Sequence, residues 1–206
     1  MAKIYYRFGT MRSGKSQDVI RAYDSYEKSD RKSIIIKPSI DTRDEGVVST
    51  RKGYNVKANI LHNKPGEIIN LINQEVRNNI AVHAVIVDEA QFLSPMQVQE
   101  LIVIADSINI PVLAYGLKTN FRGELFTGSK LLIEIADNIE EIKTVCQFCN
   151  KKATMNLRVI NNNGEIYGAA LEGNEIEIGD EEYIQTCREH FFLFVNGNKV
   201  EWVWDH

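Results

Sequence analysis

The chain has 206 residues, 44% hydrophobic and 25% charged, with a formal net charge of −4. This length suits one domain plus an appendage, with enough chain to bury a proper core. The balance of charge argues against a dedicated nucleic-acid binder, which carries a basic face. No apolar run approaches the roughly 20 residues that span a bilayer. Residues 3–8, KIYYRF, rich in aromatic and β-branched types, predict a first strand. It leads into RFGTMRSGKS (7–16), in which Gly9 is followed by four residues and then by Gly14, Lys15 and Ser16. Residues 14–28 place Val19, Ile20, Tyr23 and Tyr26 at helical spacing. Strand, glycine-rich loop and helix in that order predict a phosphate cradle over Gly9, Thr10, Met11, Arg12, Ser13, Gly14, Lys15 and Ser16. Backbone N–H groups curl inward there and the helix dipole adds to them. Lys15 suits the β- and γ-phosphates of a nucleotide, and the Ser16 hydroxyl suits a magnesium ion. A flexible turn that merely contains Gly-Lys-Ser would lack the flanking strand and helix.

KSIIIKP (32–38), HAVIVDEA (83–90) and IPVLAYG (110–116) are continuous apolar runs, the pattern of strands buried on both faces of a parallel sheet. Between them, PGEIINLINQEVRNN (65–79) and SPMQVQELIVIADSI (94–108) carry helical periodicity. The second opens with Ser94 as N-cap and Pro95 at the first helical position. The polar stretch 41–59 predicts a surface insertion with a short hairpin. Alternating strands and helices predict an α/β P-loop NTPase core with a mainly parallel sheet flanked by helices. In VIVDEAQF a strand delivers Asp88 and Glu89 to the sheet's C-terminal edge, where open α/β sheets bind ligands. Asp88 is read as reaching toward magnesium, and Glu89 as a general base on the oxygen that attacks the γ-phosphate. Such a pair often only caps a helix; its place downstream of a P-loop favours chemistry.

Cys146-x2-Cys149 and Cys187-x2-His190 use all three cysteines and one of four histidines. Three thiolates and an imidazole in two short pairs predict a closed, structural tetrahedral zinc site, whereas unrelated buried cysteines would not share the x2 spacing. NLRVI, GEIYG and NEIEIG between the pairs predict short strands, hence a small zinc-binding β-rich lobe. The expected division is residues 1–143 for the ATP-binding core and 144–206 for the zinc lobe. With no signal-peptide core and no disulfide framework, a cytoplasmic location is expected.

Together these motifs resemble the type II thymidine kinases over nearly the whole chain. The P-loop GTMRSGKS resembles that family's G-P-M-F-S-G-K-S, with Thr10 and Arg12 in place of the commoner proline and phenylalanine. Asp41-Thr42-Arg43 matches its phosphate-donor stretch, DEAQF (88–92) is intact, and GLKTNFRGELF (116–126) is similar to its nucleoside segment. IEIGDEEYIQTC resembles the lasso that closes over the base, one residue shorter at its tip. The resemblance implies a thymidine kinase, transferring the γ-phosphate of MgATP to the 5′-hydroxyl of thymidine in deoxynucleoside salvage. It adds Asp41, Thr42, Arg43, Asp88, Glu89, Ala90 and Gln91 to the ATP site. It implies a nucleoside pocket of Met11, Phe92, Leu117, Phe121 and Phe126, with Ile176, Ile178, Gly179 and Tyr183 from the lasso. From composition alone these apolar residues read as core. It also implies a homotetramer inhibited by thymidine triphosphate, with no nucleic-acid or membrane partner. A P-loop motor with a zinc knuckle, where Glu89 would activate water, and a nucleotide sensor without turnover are the rival classes. No basic stripe or second motor domain supports the first, and Glu89 speaks against the second.

Overall fold

The computed structural model describes residues 1–40, 46–49, 53–162, 165–169, 171 and 183–197. The core runs β1 (Ile4–Gly9), α1 (Lys15–Glu27), β2 (Lys32–Pro38), β3 (Val47–Ser49), β4 (Asn55–Lys57), β5 (Asn59–Leu61) and α2 (Glu67–Arg77). It continues through β6 (Val82–Val87), α3 (Pro95–Asp106), β7 (Val112–Gly116), α4 (Thr127–Ile135) and β8 (Asn138–Ile142). Six strands form one sheet in the order β5-β2-β6-β7-β1-β8, and every neighbouring pair is parallel. The chain therefore leaves β1, β2, β6 and β7 at one common edge. The loops after Gly9, Val87 and Gly116 emerge side by side there, and this convergence positions the site.

Alternation along the strands divides the core. Ile34 and Ile36 of β2 face α2, α3 and α4, packing with Ile68, Ile72, Leu101, Ile104 and Leu132. Ile35, Ile86 and Tyr115 face the other way, against Val19 and Ile20 of α1. Helices thus cover both faces, as an all-parallel sheet requires. Ser94 caps α3 as its residue type predicts: its Oγ accepts from the Gln97 N–H, and Gln97 Oε1 accepts from the Ser94 N–H. The start of α2 has no side-chain cap of its own. Buried Glu100 of α3 serves instead, its carboxylate accepting the N–H groups of Gly66, Ile68 and Ile69.

The predicted hairpin is the antiparallel pair β3–β4, but β5 leaves the same polar stretch to join the main sheet beside β2. Residues 41–45 and 50–52 of that stretch lie outside the described residues. Beyond β8 the described residues form an antiparallel sheet of β9 (Met155–Asn162), β10 (Glu165–Ala169) and β11 (Tyr183–Thr186), in the order β10-β9-β11, with α5 (Arg188–Val195) packed on it. NLRVI falls in β9 and the last four residues of GEIYG in β10, whereas Gly164 and NEIEIG lie outside the described residues. This lobe has its own apolar cluster: Leu157, Val159, Ile184, Phe191 and Phe194. Among the described residues no helix is long and apolar enough to cross a membrane.

Candidate active site

The phosphate loop joins β1 to α1. Gly14, at φ 93°, takes the left-handed turn that starts the helix, a conformation that costs glycine little. Arg12 is also left-handed, at φ 64°. The buried Lys15 ammonium donates to the Thr10 carbonyl at 2.8 Å, and the Ser13 N–H reaches the same oxygen at 3.3 Å. Among the described residues, buried Thr10 Oγ1 and Ser13 Oγ have no hydrogen-bond partner. Buried polar atoms are rarely left so, and an oxygen-rich ligand in the loop would satisfy them. Ser16 stands half-buried at the second position of α1.

Asp88 follows β6 and is 3% exposed. Burial and the neighbouring Glu89 carboxylate push its proton affinity up to about 7, against the opposing pull of Lys37, an N–H from Glu89, and Lys15. Glu89 itself is left-handed, at φ 51°, before a short 3-10 turn over Ala90–Phe92. Its Oε2 accepts from Gln91 Nε2 at 2.6 Å, and Gln91 Oε1 accepts from the Leu117 N–H at 2.9 Å. The buried Gln91 amide thus ties the acidic pair to the segment after β7. The Leu117 carbonyl is held in turn by Ser129 Oγ at 2.6 Å and the Tyr6 hydroxyl at 2.9 Å.

The next loop is shaped by Asn120, whose Oδ1 accepts the N–H groups of Arg122 and Glu124. Gly128 lets α4 press onto the 3-10 turn, since a Cβ there would stand 2.7 Å from the Ala90 and Gln91 carbonyl oxygens. That approach sets Phe126 edge-on to Phe92, with ring centroids 5.6 Å apart. Phe121 is buried, with the Arg122 and Arg158 guanidiniums 5.0 and 5.2 Å from its ring centre. Met11 is half-buried, and its N–H donates to Asn156 Oδ1. Tyr183 opens β11 opposite Arg158. Asp41, Thr42, Arg43, Ile176, Ile178 and Gly179 lie outside the described residues.

The four candidate metal ligands come together: one ligand atom from each of Cys146, Cys149, Cys187 and His190 lies within 4.8 Å of the others. His190 Nδ1 stands 3.7, 3.6 and 3.2 Å from the sulfurs of Cys146, Cys149 and Cys187, and Cys149 and Cys187 are 3.9 Å apart. A tetrahedral zinc with ordinary bond lengths needs ligand atoms about 3.5–3.8 Å apart, so this set fits one. Local structure explains the spacing. Cys187 is the N-cap of α5 and His190 lies in its first turn, so both face one way. Cys146 and Cys149 sit on a knuckle closed by the Cys146 N–H on the Lys151 carbonyl and the Phe148 N–H on Cys146 Sγ.

Two residues at the site were not singled out by the motifs. Lys37, 2% exposed, is the penultimate residue of β2, one step beyond the Ile36–Val87 pairing and beside Asp88. A lysine closing an otherwise apolar run was the available signal. Asn156 gave none.

A family model described as thymidine kinase matches residues 2–191. A protein named thymidine kinase from Streptococcus pyogenes serotype M3 is 43% identical over 194 residues, covering 93% of this chain and 98% of that one. One of the same name from Streptococcus agalactiae serotype Ia is 42% identical over the same shares of both chains.

Proposed function

The chain belongs to the thymidine kinase family, and on that premise we propose how its residues divide the work of moving the γ-phosphate of ATP to the 5′-hydroxyl of thymidine. The observation that carries the proposal is the convergence of the Gly9–Ser16 loop, Asp88-Glu89 and the 116–126 segment at one edge of a parallel sheet. The backbone of residues 9–16 and the Lys15 ammonium hold the β- and γ-phosphates, with Thr10 and Ser13 as further donors. Asp41, Thr42 and Arg43 brace the donor from the side, and Ala90 and Gln91 complete the wall. Ser16 and Asp88 would hold magnesium, in part through water; the bound ion offsets negative charge on the two terminal phosphates.

Thymidine lies between Met11, Phe92, Leu117, Phe121 and Phe126, under a lasso that contributes Ile176, Ile178, Gly179 and Tyr183. Glu89 takes the 5′-hydroxyl proton as the oxygen attacks, and Gln91 orients it through the bond to Oε2. The remaining acceleration comes from alignment and from fixed charge at the transferring phosphate. Residues 144–206 form a separate zinc-binding domain beyond a core of 1–143, a division supported by their separate apolar clusters. Cys146, Cys149, Cys187 and His190 hold a structural zinc, supported by the ligand separations above. From the family resemblance we extend the reading to a cytoplasmic homotetramer inhibited by thymidine triphosphate.

The test is Glu89→Gln. Glutamine keeps an oxygen to accept from Gln91, so the wall should stay intact while the base is lost. Turnover should fall on the order of 10²-fold or more, with ATP binding retained. A near-normal kcat would remove Glu89 from the base role.

A further inference from the structure

Asn156, the second residue of β9, is 3% exposed and uses its side-chain amide in two directions. Its Oδ1 accepts the Met11 N–H at 2.7 Å, and its Nδ2 donates to the Thr119 carbonyl at 3.2 Å. Met11 belongs to the phosphate loop and Thr119 to the 116–126 segment. One amide of the β-rich lobe therefore bridges the two loops assigned to donor and acceptor. A side-chain amide offers an acceptor and a donor on separate atoms without charge, so it can hold two partners at once.

A cleft lined by Gly9, Thr10, Thr119, Thr154 and Asn156 opens at this junction. Met11 also directly precedes Arg12, whose left-handed backbone persists only where its surroundings fix it. The Asn156 bond orients the peptide one residue before that strain.

We propose that Asn156 is a positioning residue of the phosphoryl transfer: it fixes the leading half of the phosphate loop against the nucleoside segment, so that the seating of the β-rich lobe sets the alignment of the two substrates. The proposal rests on the reading of residues 9–16 as the ATP site and 116–126 as the nucleoside segment. Losing the bridge should leave the Met11 N–H without its partner, and free the loop to sample conformations that do not hold phosphate.

The experiment uses full-length Asn156→Ala, with Val159→Ala and Ile184→Val as controls. Both controls trim the lobe's apolar cluster and touch neither contact. Binding of a non-hydrolysable MgATP analogue and of thymidine is titrated separately, alongside KM, kcat and Tm. Asn156→Ala should weaken analogue binding about tenfold, the scale of one buried hydrogen bond, and raise KM for ATP in step. The controls should lower Tm while analogue affinity stays within about twofold. Asn156→Ser, too short to reach both partners, should show the same loss out of proportion to its Tm if the alanine variant does not fold. Wild-type analogue affinity in the Asn156 variants would overturn the proposal, as would an equal loss in controls of matched Tm. A wild-type protein that bound no analogue would overturn the ATP reading of the loop, and this proposal with it.

Discussion

Asp88 and Lys15 share a buried corner but depend on it differently. Asp88 is held up to about 7, against an ordinary value of 3.8, chiefly by burial and by Glu89. The folded chain therefore binds a proton there that the unfolded chain has released, and the protein without ligands should lose stability as pH rises between those values. The contribution is fully present below about 4 and gone once pH passes about 7. Thermal melts from pH 5 to 8 should show wild-type Tm falling more steeply than that of Asp88→Asn, which has no proton to lose. Parallel curves would mean that Asp88 is already ionised across the range. Lys15 was legible because Gly-Lys-Ser between a strand and a helix has few other readings. Asn156 was not, since nothing in its neighbours in sequence announces partners 145 and 37 positions away.

The elements of the lobe carry the metal prediction. Cys146 and Cys149 lie on one knuckle and Cys187 and His190 at the start of α5, so a zinc ion would tie α5 and β11 to the chain leaving β8. Purified protein should hold zinc equimolar with the chain. Chelation should weaken thymidine binding more than ATP binding, because the proposed lasso lies in sequence between the two pairs; a smaller loss should reach the ATP site through Asn156. His190→Ala leaves three thiolates and an open position, and should weaken zinc retention without abolishing the ATP site. Metal analysis with paired titrations checks this. Stripped protein that bound thymidine normally and lost only ATP would contradict it.

Sequence legibility varied by element for identifiable reasons. Ser94 and Pro95 announced α3 because its cap is local. The cap of α2 is Glu100, 31 to 34 positions from the N–H groups it accepts, and only tertiary packing shows it. Gly128 near the start of α4 reads as a turn until the carbonyls pressing on it are seen. β8 is an edge strand with exposed, charged residues, so it lacks the apolar run that marked its neighbours. In α5 a continuous apolar run over Phe191–Val195 hides the i, i+3 spacing of the buried Phe191 and Phe194, and β5 is three residues inside a polar insertion.

At the scale of the whole molecule, one parallel sheet gathers three loops at its edge and a second lobe pins two of them together. This arrangement supports a two-substrate reaction more readily than hydrolysis, because Glu89 is tied through Gln91 to the segment assigned to the nucleoside. A motor would need Glu89 to address water, and a sensor would need no base. Incubating the protein with MgATP, with and without thymidine, and quantifying all products tests the claim most directly. ADP and thymidine monophosphate should appear in equal amounts, and only when thymidine is present. ADP with free phosphate, formed at the same rate without thymidine, would contradict the account.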